Sequence, residues 1–529
     1  MKRRKFVQSV LVTAAASTAA PGLLLSCDPK SLKAPAMGEG TQRAGADVVT
    51  KGTTPEWVPN LKDSDMLGLG PDGKHDPNYN ANGSGYNRSD ADPLKPHQMK
   101  LTAEEQAIMN GDKGEALAKV MKTVVAFGNA FGATHLVDLG GAPHSSVFNA
   151  PPFMQSIIDV LNVCADEGLK TYAPFTINPR PFDLYNVETQ PEEMEMVFEG
   201  YPLQPELDHA LIRIGARGLN SRSCACYLSE IGNAPPPGTY VAWAESSAVN
   251  FGNSVLGIRT NRNAGGMELL CALIGKAPYF GLMTDEGRMA TWHIDVKTTK
   301  EPDWGVLGAA IGIKVVEDVP YITGIDKYFG GEVTKKNMHK LKAMGSSTAA
   351  NGAVGLYHVE NVTPDAKKKG KDLLVEGYQT YVIDDAEIER IYSGYPNLWS
   401  QKDAKPNLCF IGCPHNTYQE ILNWGQKITT ELKKRGQDKV KIPVHLFVAI
   451  PVRNHLLDTH PVLVRDMKRA GISFTNMCAL MFTGLKGYNE NHFAVTNSNK
   501  ARKYSSARYF PDDILLKIVM TGEIPSGVS

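Results

Sequence analysis

Three cysteines of this sequence stand in loops among polar residues, where thiols can serve as ligands. They are Cys224 in Ser-Cys-Ala-Cys-Tyr, Cys413 in Gly-Cys-Pro-His and Cys478 in Thr-Asn-Met-Cys. Thiolates hold iron–sulfur clusters, and the ligands of one cluster can lie far apart in a sequence. Three thiolates leave one iron open, where it can act as a Lewis acid on a substrate hydroxyl or carboxylate. Spacing alone fits this interpretation and also fits three unrelated cysteines of the core.

The other cysteines and the absence of common signatures narrow the chemistry. The sequence has eight cysteines, and it contains no C-x-x-C pair, which argues against a zinc ribbon. Cys164 and Cys271 fall in apolar helical patterns and are predicted core residues, because free cysteine is among the most buried residue types. The chain also lacks a P-loop, a G-x-G-x-x-G turn between strand and helix, H-E-x-x-H and G-x-S-x-G.

A polar stretch near the middle of the chain, residues 241–262, is the second candidate for chemistry. It sets acidic, amide, hydroxyl and guanidinium side chains among small apolar residues and glycines. Buried polar groups cost free energy unless they are paired. The stretch therefore fits either the lining of a cavity for a polar or anionic ligand, or an exposed and hydrogen-bonded loop. Its polar residues are Glu245, Ser246, Ser247, Asn250, Asn253, Ser254, Arg259, Thr260, Asn261 and Arg262.

Length and composition are those of an ordinary globular protein. A chain of 529 residues suggests two to four domains. The composition is 42% hydrophobic and 21% charged, with a formal net charge of +0. A nucleic-acid-binding protein would usually carry a basic face, so this balance argues against that class. After the N-terminal segment there is no window of about 20 apolar residues, so no transmembrane helix is predicted.

The N-terminal residues 1–27 are predicted to be a targeting signal. Residues 2–8, Lys-Arg-Arg-Lys-Phe-Val-Gln, resemble a twin-arginine export signal, and an apolar run from Val10 to Leu25 follows. The run ends in Leu-Leu-Ser-Cys, where Cys27 would become the acylated N-terminus of a bacterial envelope lipoprotein. The alternative is an ordinary basic signal with a chance cysteine, which gives a soluble periplasmic protein. Residues 28–98 are too poor in large aliphatics to form a core, and we interpret them as a low-complexity linker.

Strands and helices alternate after the linker, which predicts an α/β fold. Residues 99–383 are predicted to form the catalytic core, with strands at 171–176, 279–284 and 353–358 and a close helix–sheet contact at 305–313. Residues 384–529 are predicted to form a C-terminal α/β domain with a small parallel sheet. Ligands of such sheets lie at the carboxyl ends of the strands. Cys413 follows one of these ends and Cys478 lies just beyond another.

Several motifs together resemble the catalytic large subunit of the aconitase X family, iron–sulfur hydro-lyases of the aconitase superfamily. The resemblance covers residues 100–515 in the family's order. The motifs that carry it are Thr176-Ile177-Asn178 with Asp183; Ala244-Glu245-Ser246-Ser247-Ala248; Asn253-Ser254-Val255-Leu256-Gly257; Arg259-Thr260-Asn261-Arg262; Gly352-Ala353-Val354 with His358 and Thr363-Pro364; Gly412-Cys413-Pro414-His415; and Asn497-Ser498 with Lys500 and Tyr504.

The resemblance implies a fold, a cofactor and a set of roles. It implies an aconitase-like multidomain α/β/α architecture with parallel-sheet units, and dehydration of a small hydroxy carboxylate such as cis-3-hydroxy-L-proline. It implies a 4Fe-4S or 2Fe-2S cluster on Cys224, Cys413 and Cys478, with Cys226 as a neighbour or rival. Catalytic roles fall to Glu245, Ser246, Ser247, Ser498 and Lys500. The implied substrate-binding residues are Asn178, Asn253, Arg259, Asn261, Asp285, Arg453 and Asn497.

The small swivelling domain that completes the superfamily's site, with a serine-rich loop expected to supply the base, is not found in the sequence. A separate small subunit is therefore a predicted partner. The chain also departs from the family pattern at Met283, Val452 and Asp365, and His144 is displaced from its usual place. These departures leave two alternatives to a dehydratase: a non-catalytic envelope lipoprotein that uses the fold as a binding module, and an isomerase of the same superfamily.

Overall fold

A computed structural model of the protein describes residues 97–218 and 221–527. The predicted signal at 1–27 and nearly all of the predicted linker at 28–98 lie outside the described residues. The first helix begins as the sequence predicts: the Thr102 hydroxyl accepts a bond from the Glu105 amide, and the Glu105 carboxylate accepts one from the Thr102 amide. None of the described helices is both long and apolar enough to cross a bilayer.

The helices account for most of the regular structure in the described part of the chain. In chain order they are α1 Ala103–Asn110, α2 Glu115–Ala130, α3 Gln155–Asp166, α4 Pro191–Gly200, α5 Gln204–Arg213, α6 Ser246–Phe251, α7 Met267–Ile274, α8 Trp304–Val315, α9 Met338–Asn351, α10 Pro364–Lys369, α11 Asp385–Ser393, α12 Tyr418–Arg435, α13 Ile450–Thr459, α14 Pro461–Arg469, α15 Ala479–Thr483, α16 Tyr488–Asn491, α17 Asn499–Tyr504 and α18 Asp512–Thr521.

The strands are short and form four sheets. In chain order they are β1 Leu136–Asp138, β2 His144–Ser145, β3 Thr176–Ile177, β4 Lys276–Pro278, β5 Ala290–Val296, β6 Pro320–Thr323, β7 His358–Val359, β8 Leu374–Ile383, β9 Leu408–Ile411, β10 Val444–Phe447, β11 Ile472–Thr475, β12 Ala494–Thr496 and β13 Arg508–Tyr509.

Two parallel sheets, of five and four strands, are the largest sheets among the described residues, and they confirm the predicted α/β class. The C-terminal sheet has the order β11-β10-β9-β12-β13, and every neighbouring pair in it is parallel. All residues of β9 and β10 are buried, as expected for strands covered on both faces. The other sheet has the order β7-β6-β5-β8 and is also parallel. The domain boundaries proposed from the sequence stay predictions.

The region before β5 is held mainly by loops and helices rather than by sheets. Its strands form only two pairs, β1 with β4 antiparallel and β2 with β3 parallel. The strand predicted at 171–176 begins only at Thr176. Residues 279–284 follow β4 and contain a 3₁₀ turn in place of the predicted strand. The strand predicted at 353–358 is reduced to β7. Periodicity overestimated these strands because short apolar runs can also pack as buried coil.

The glycine-rich segment predicted to contact a sheet forms a helix that shares a core with the β7-β6-β5-β8 sheet and also lies very close to another helix. Residues 304–315 form α8, and Gly308 lies so close to α9 that a side chain would overlap the Met344 carbonyl and meet the Ser347 Cβ at 2.7 Å. Glycine permits this approach of two backbones, which apolar composition alone does not distinguish from a helix–sheet contact. α9 in turn contacts α6 and α17, so the pair forms the floor beneath the polar residues described next.

Candidate active site

The three cysteines predicted as ligands differ from the others in their accessibility. Cys224, Cys413 and Cys478 are partly exposed, whereas Cys164, Cys226, Cys271 and Cys409 are buried. Cys224 and Cys413 lie within electrostatic reach of each other, as do Cys413 and Cys478. Cys226, the possible rival, belongs to the apolar core beside Trp243 and Phe251. The three thiols are therefore partly accessible and near one another, and the other four fill the interior.

An identifiable element or contact places each of these three cysteines. Cys413 comes directly after β9 and Gly412, with backbone φ values of 105° and 102°, and Cys478 lies between β11 and α15. A positive φ is uncommon for a residue with a side chain and persists where surrounding contacts enforce it, often at functional sites. Cys224 is held through the Ser223 amide, which donates to the carbonyl of Ile177 in β3 at 2.9 Å.

His415 joins the three cysteine loops. Its backbone amide donates to Cys224 Sγ at 3.3 Å, and its Nδ1 lies 3.3 Å from the Ser223 hydroxyl. Its Nε2 lies 3.2 Å from the carbonyl of Met477, next to Cys478, and His415 itself is two residues from Cys413. The buried Lys342 ammonium donates to the His415 carbonyl at 3.0 Å. One imidazole and one peptide unit thus connect all three loops.

The protonation of the thiols shows what the site would require of a cofactor. Burial raises the pKa of all three, that of Cys413 to about 12. Metal binding would therefore release protons, since metals bind the thiolate form. No three His, Cys, Asp or Glu side chains among the described residues converge tightly enough for a single metal ion. Three separate thiols, one of which lies within electrostatic reach of the other two, suit a multi-iron cluster, which spreads its ligands over several irons.

A buried ion pair lies beside the cysteines. Lys500 Nζ donates to Glu245 Oε1 at 2.5 Å, to Ser247 Oγ at 2.7 Å and to Ser246 Oγ at 3.1 Å. Glu245 caps the N-terminus of α6 by accepting the Ala248 amide at 2.6 Å, and Ser498 caps α17, the helix that carries Lys500. Four of the five residues to which the resemblance assigns catalytic roles, Glu245, Ser246, Ser247 and Lys500, therefore meet in one hydrogen-bonded group, and the fifth, Ser498, caps the helix that carries Lys500.

Ser498 connects this group to the cysteines. Its hydroxyl donates to the carbonyl of Cys413 at 2.5 Å and accepts the Ala501 amide at 3.0 Å. Within the group, Ser246 is partly exposed, whereas Glu245, Ser247, Ser498 and Lys500 are buried. Ser246 is therefore its most accessible member.

The charges of the ion pair are stable at neutral pH. Burial alone would raise the pKa of Glu245, but the Lys500 ammonium and the Ala248 amide together hold it below its usual value. Burial alone would lower the pKa of Lys500, yet Glu245 and the neighbouring thiols hold it above its usual value. The carboxylate and the ammonium thus keep each other ionised, as a buried pair must.

The central polar stretch is not an exposed loop. Glu245, Ser247, Asn250, Asn253, Ser254, Thr260 and Asn261 are all buried. Asn253 donates to the carbonyls of Thr260 and Gly355, and Asn261 bonds to Phe280 and Leu282. A π-helix at Gly252–Leu256 directly continues α6, a distortion often found at functional sites. The stretch therefore forms the wall of the site, and its amides hold that wall together.

The remaining predicted substrate-binding residues are more dispersed. Arg259 donates to the Met283 carbonyl and forms a salt bridge with Asp285, so these two candidates pair with each other. Asn497 donates to Asp512 at 2.9 Å and accepts the Gly412 amide. The Arg453 side chain bonds only to Asn454 among the described residues. The structure joins neither Arg259 nor Arg453 to the cysteines by a contact.

His144 has a clearer place than the sequence suggested. It lies in β2, with Nε2 3.1 Å from Asn178 Oδ1 and Nδ1 2.9 Å from Thr176 Oγ1. Burial lowers its pKa to about 4, so the imidazole is neutral at physiological pH. His144, His415 and Lys342 were not assigned roles from the sequence. The sequence marked His415 through the Gly-Cys-Pro-His motif and His144 through its displacement from the family's usual place. It gave no such signal for Lys342, and the partners of all three come from distant elements.

A segment that we call the strap, residues 179–203, connects the first region to the C-terminal sheet. The Cys478 amide donates to the Arg180 carbonyl at 2.6 Å, and the Thr475 hydroxyl donates to the Asp183 carboxylate at 2.9 Å. Tyr201 donates to the Met481 carbonyl at 2.6 Å. Glu193 of α4 lies 2.9 Å from His492 Nε2. The strap therefore holds the loop that carries Cys478 against the first region.

Comparisons with known proteins agree with this geometry. A family model described as the aconitase X first domain matches residues 98–286, and one described as the aconitase X second domain matches residues 290–393. The phosphomevalonate dehydratase large subunit of Thermococcus kodakarensis is 31% identical over 357 residues, which cover 67% of this chain and 82% of that protein. The cis-3-hydroxy-L-proline dehydratase of Pseudomonas aeruginosa is 31% identical over 325 residues, covering 61% of this chain and 53% of that enzyme.

A solved structure confirms the fold. The crystal structure of aconitase X from Thermococcus kodakaraensis in its holo-form matches with a TM-score of 0.65 at 28% sequence identity. The match covers 80% of this chain and 100% of that chain.

The strap contact at His492 predicts a defined pH dependence of stability. His492 Nδ1 faces the Tyr488 carbonyl at 2.8 Å and Nε2 faces the Glu193 carboxylate, so both nitrogens donate and the ring is an imidazolium. Burial opposes the charges, yet the contacts hold the pKa of His492 above 6.5 and that of Glu193 below 4.5. The nearby His445 has its pKa lowered to about 4 by burial and stays neutral in this window.

The raised histidine pKa stabilises the fold below pH 6.5, and this contribution is lost as pH rises through the folded value. The lowered glutamate pKa stabilises it above pH 4.5, and that contribution is lost as pH falls. We therefore expect His492→Gln to lower the free energy of unfolding by about 1 kcal/mol between these limits, with the deficit vanishing at alkaline pH. Urea unfolding across pH measures it. Glu193→Gln should give the same profile, and a deficit independent of pH in both variants would contradict this assignment.

Proposed function

The chain belongs to the aconitase X family and is a hydro-lyase, and from this premise we propose that it dehydrates a small hydroxy carboxylate with an iron–sulfur cluster held by Cys224, Cys413 and Cys478. The observation that carries the proposal is that these three thiols are partly exposed and that Cys413 lies within electrostatic reach of the other two, while the other four described cysteines are buried. When bound, the cluster supplies a Lewis-acidic iron that polarises the leaving hydroxyl.

The polar group beside the cysteines suits proton transfer to and from a bound hydroxy acid. Ser246 is accessible, so its hydroxyl is the one that exchanges a proton with the substrate. Glu245 lies 3.4 Å from that hydroxyl and is the carboxylate that accepts or returns the proton. Lys500 keeps Glu245 ionised and orients both serine hydroxyls through its hydrogen bonds. The Ser498 hydroxyl donates to the Cys413 carbonyl, and this bond fixes the position of the helix that carries Lys500 relative to the Cys413 loop.

The substrate class rests on the relatives. Those compared above are named for phosphomevalonate and for cis-3-hydroxy-L-proline, both small hydroxy acids. Arg259, the carboxylate clamp suggested by the sequence, is already paired with Asp285, so a substrate carboxylate would have to displace or share that partner. This engagement supports a substrate bound nearer to Ser246 and the cysteines than to Arg259.

A separate small subunit completes the proposed enzyme. Relatives are named as large subunits, and the match to the Pseudomonas aeruginosa enzyme spans only 53% of that longer protein. The swivelling domain, whose serine-rich loop is expected to supply the base, is the part that such a subunit would contribute. We therefore propose that it covers the three cysteines and the Lys500 group and excludes water around the substrate.

We also propose export by the twin-arginine route, because the signal-like residues 1–27 precede a protein that would carry a cluster and so be exported already folded. We expect the full chain to fractionate with the bacterial envelope, and Arg3→Lys with Arg4→Lys together to retain it in the cytoplasm. Cys27→Ala should release it from the membrane fraction into the periplasm. A full chain that stays cytoplasmic would contradict this proposal.

The cluster is tested first by anaerobic iron and sulfide content with a visible spectrum. We expect cluster absorbance in the parent and its loss in Cys413→Ala, because that thiol lies within electrostatic reach of both Cys224 and Cys478. Cys226→Ala is the matched control, since this neighbour of Cys224 is buried in the core and should leave the iron content unchanged. An iron-free parent prepared without oxygen would overturn the cluster and leave a binding module on this fold.

Lys500 is the second test, with a co-expressed small subunit and a panel of hydroxy acids that includes the two named above. We expect Lys500→Met to lower the dehydration rate by roughly 10²–10⁴-fold, because without the ammonium the buried Glu245 would lose its charge and could no longer accept the proton from Ser246. Lys503→Met, an exposed lysine on the same helix α17, is the control and should retain activity. Product analysis separates a dehydratase, which forms an unsaturated acid, from an isomerase. Equal rates in both variants would remove Lys500 from the mechanism.

A further inference from the structure

Another buried ionic group is connected to two of the cysteine loops and was not singled out from the sequence. Arg180 Nη2 bonds to Asp208 Oδ2 at 2.6 Å, and Arg222 Nη2 bonds to Asp208 Oδ1 at 2.5 Å. The side chains of Arg222 and Asp208 are 1% and 3% exposed, and that of Arg180 is 20% exposed. We call these residues the arginine triad. It places two guanidinium groups on one carboxylate.

The triad is attached directly to two cysteine loops. The Arg180 carbonyl accepts the amide of Cys478 at 2.6 Å. Arg222 stands two residues before Cys224, and the intervening Ser223 contacts His415. Asp208 belongs to α5 and also accepts the Gln204 side-chain amide at 3.0 Å. The triad is therefore part of the structure that positions Cys224 and Cys478.

The triad carries one positive charge more than its carboxylate can balance. The other buried cations near the thiols are matched one to one, Lys500 with Glu245 and Lys342 with Glu420. The strap carboxylate nearest to Arg180 in the sequence, Asp183, bonds to the Asn186 side chain and Thr475 instead of to an arginine. Nε of Arg180, and Nε and Nη1 of Arg222, find no acceptor among the described residues. A buried charge without a counter-charge is costly, so an anion nearby would relieve it.

We propose that the arginine triad is the electrostatic counterweight of the cysteine-held cluster: its surplus positive charge offsets the negative charge that three thiolates bring to the site. This inference rests on the proposed function. Net charge around an iron–sulfur cluster is one of the factors that set its reduction potential. The triad therefore makes the reduced cluster easier to form and the thiolate ligands easier to retain. Arg180 and Arg222 act through the cluster and are not catalytic residues.

Two variants that break the same contact but change the charge in opposite directions test this role. The measurement is an anaerobic redox titration of the cluster-loaded full chain, together with the half-time of iron loss to a chelator. We expect Arg222→Gln, which removes the surplus charge, to lower the reduction potential and to speed iron loss. We expect Asp208→Asn, which enlarges the surplus, to raise the potential. A merely structural role would shift the potential in the same direction in both.

A control and a second arginine variant keep the test decisive. Arg213 lies on α5, as Asp208 does, but pairs at the surface with Asp166 of α3. Arg213→Gln should therefore leave the reduction potential unchanged. Arg180→Gln, at the more exposed guanidinium, should lower the potential as Arg222→Gln does, and it replaces Arg222→Gln if that variant fails to fold. If the parent holds its cluster and the arginine and Asp208→Asn variants shift its reduction potential in the same direction, or not at all, the triad's role is overturned. A parent without iron instead overturns the proposed function.

Discussion

The site depends on the interactions of His415, because they hold together three loops that are remote in the chain. Its amide reaches Cys224, its imidazole reaches Met477 beside Cys478, and its own loop carries Cys413. A buried imidazole can bridge in this way because each ring nitrogen bonds to a different partner, and burial, which lowers its pKa to about 4, keeps it neutral. Lys342 fixes its carbonyl and pairs with Glu420, which also caps α12. The cysteine loops are therefore tied to the helices behind them.

The same requirement, that buried polar groups be paired, shapes the wall opposite the cysteines. Glu245 and Ser498 each cap a short helix, and each also contacts a neighbour at the site, Lys500 for Glu245 and the Cys413 carbonyl for Ser498. Deeper in the wall, Asn253 and Asn261 satisfy backbone groups of the loops around 260, 280 and 355. These residues form a connected polar network, and its accessible member is Ser246. A connected network is rigid, which suits a site that must place a hydroxyl against a cluster and a proton acceptor.

The two parallel sheets have different tasks. The C-terminal sheet delivers Cys413 and Cys478 from the carboxyl ends of β9 and β11, the edge at which ligands of parallel sheets are found. Its core continues without interruption into Trp243, Val249 and Phe251 of the central stretch. The α8–α9 pair packs between the other sheet and α6 and α17. Neighbouring apolar packing therefore fixes the distance between the cysteines and the Lys500 group, and the strap secures the side at Cys478.

The sequence by itself determined the α/β class and the parallel C-terminal sheet, and its motifs predicted the three ligand cysteines and the polar stretch beside them. These features follow from local signals: apolar periodicity, caps such as Thr102 with Glu105, and motifs whose residue types have few alternative uses. The strands at 171–176 and 353–358 were overestimated because a short apolar run buries equally well as coil.

Only the tertiary structure decided which groups meet. Arg259 pairs with Asp285, the arginine triad assembles from α5, the strap and the Cys224 loop, and His415 contacts Ser223 and Cys224 across 192 and 191 positions of the chain. Such partners are chosen by burial, since a charge or amide removed from water takes whichever complementary group the packing brings within reach. Nothing in the local sequence around Asp208 or Arg222 specifies that choice, whereas the types and order of the cysteines, serines and Lys500 were specific enough to predict a site, in which the role of each residue stays a prediction.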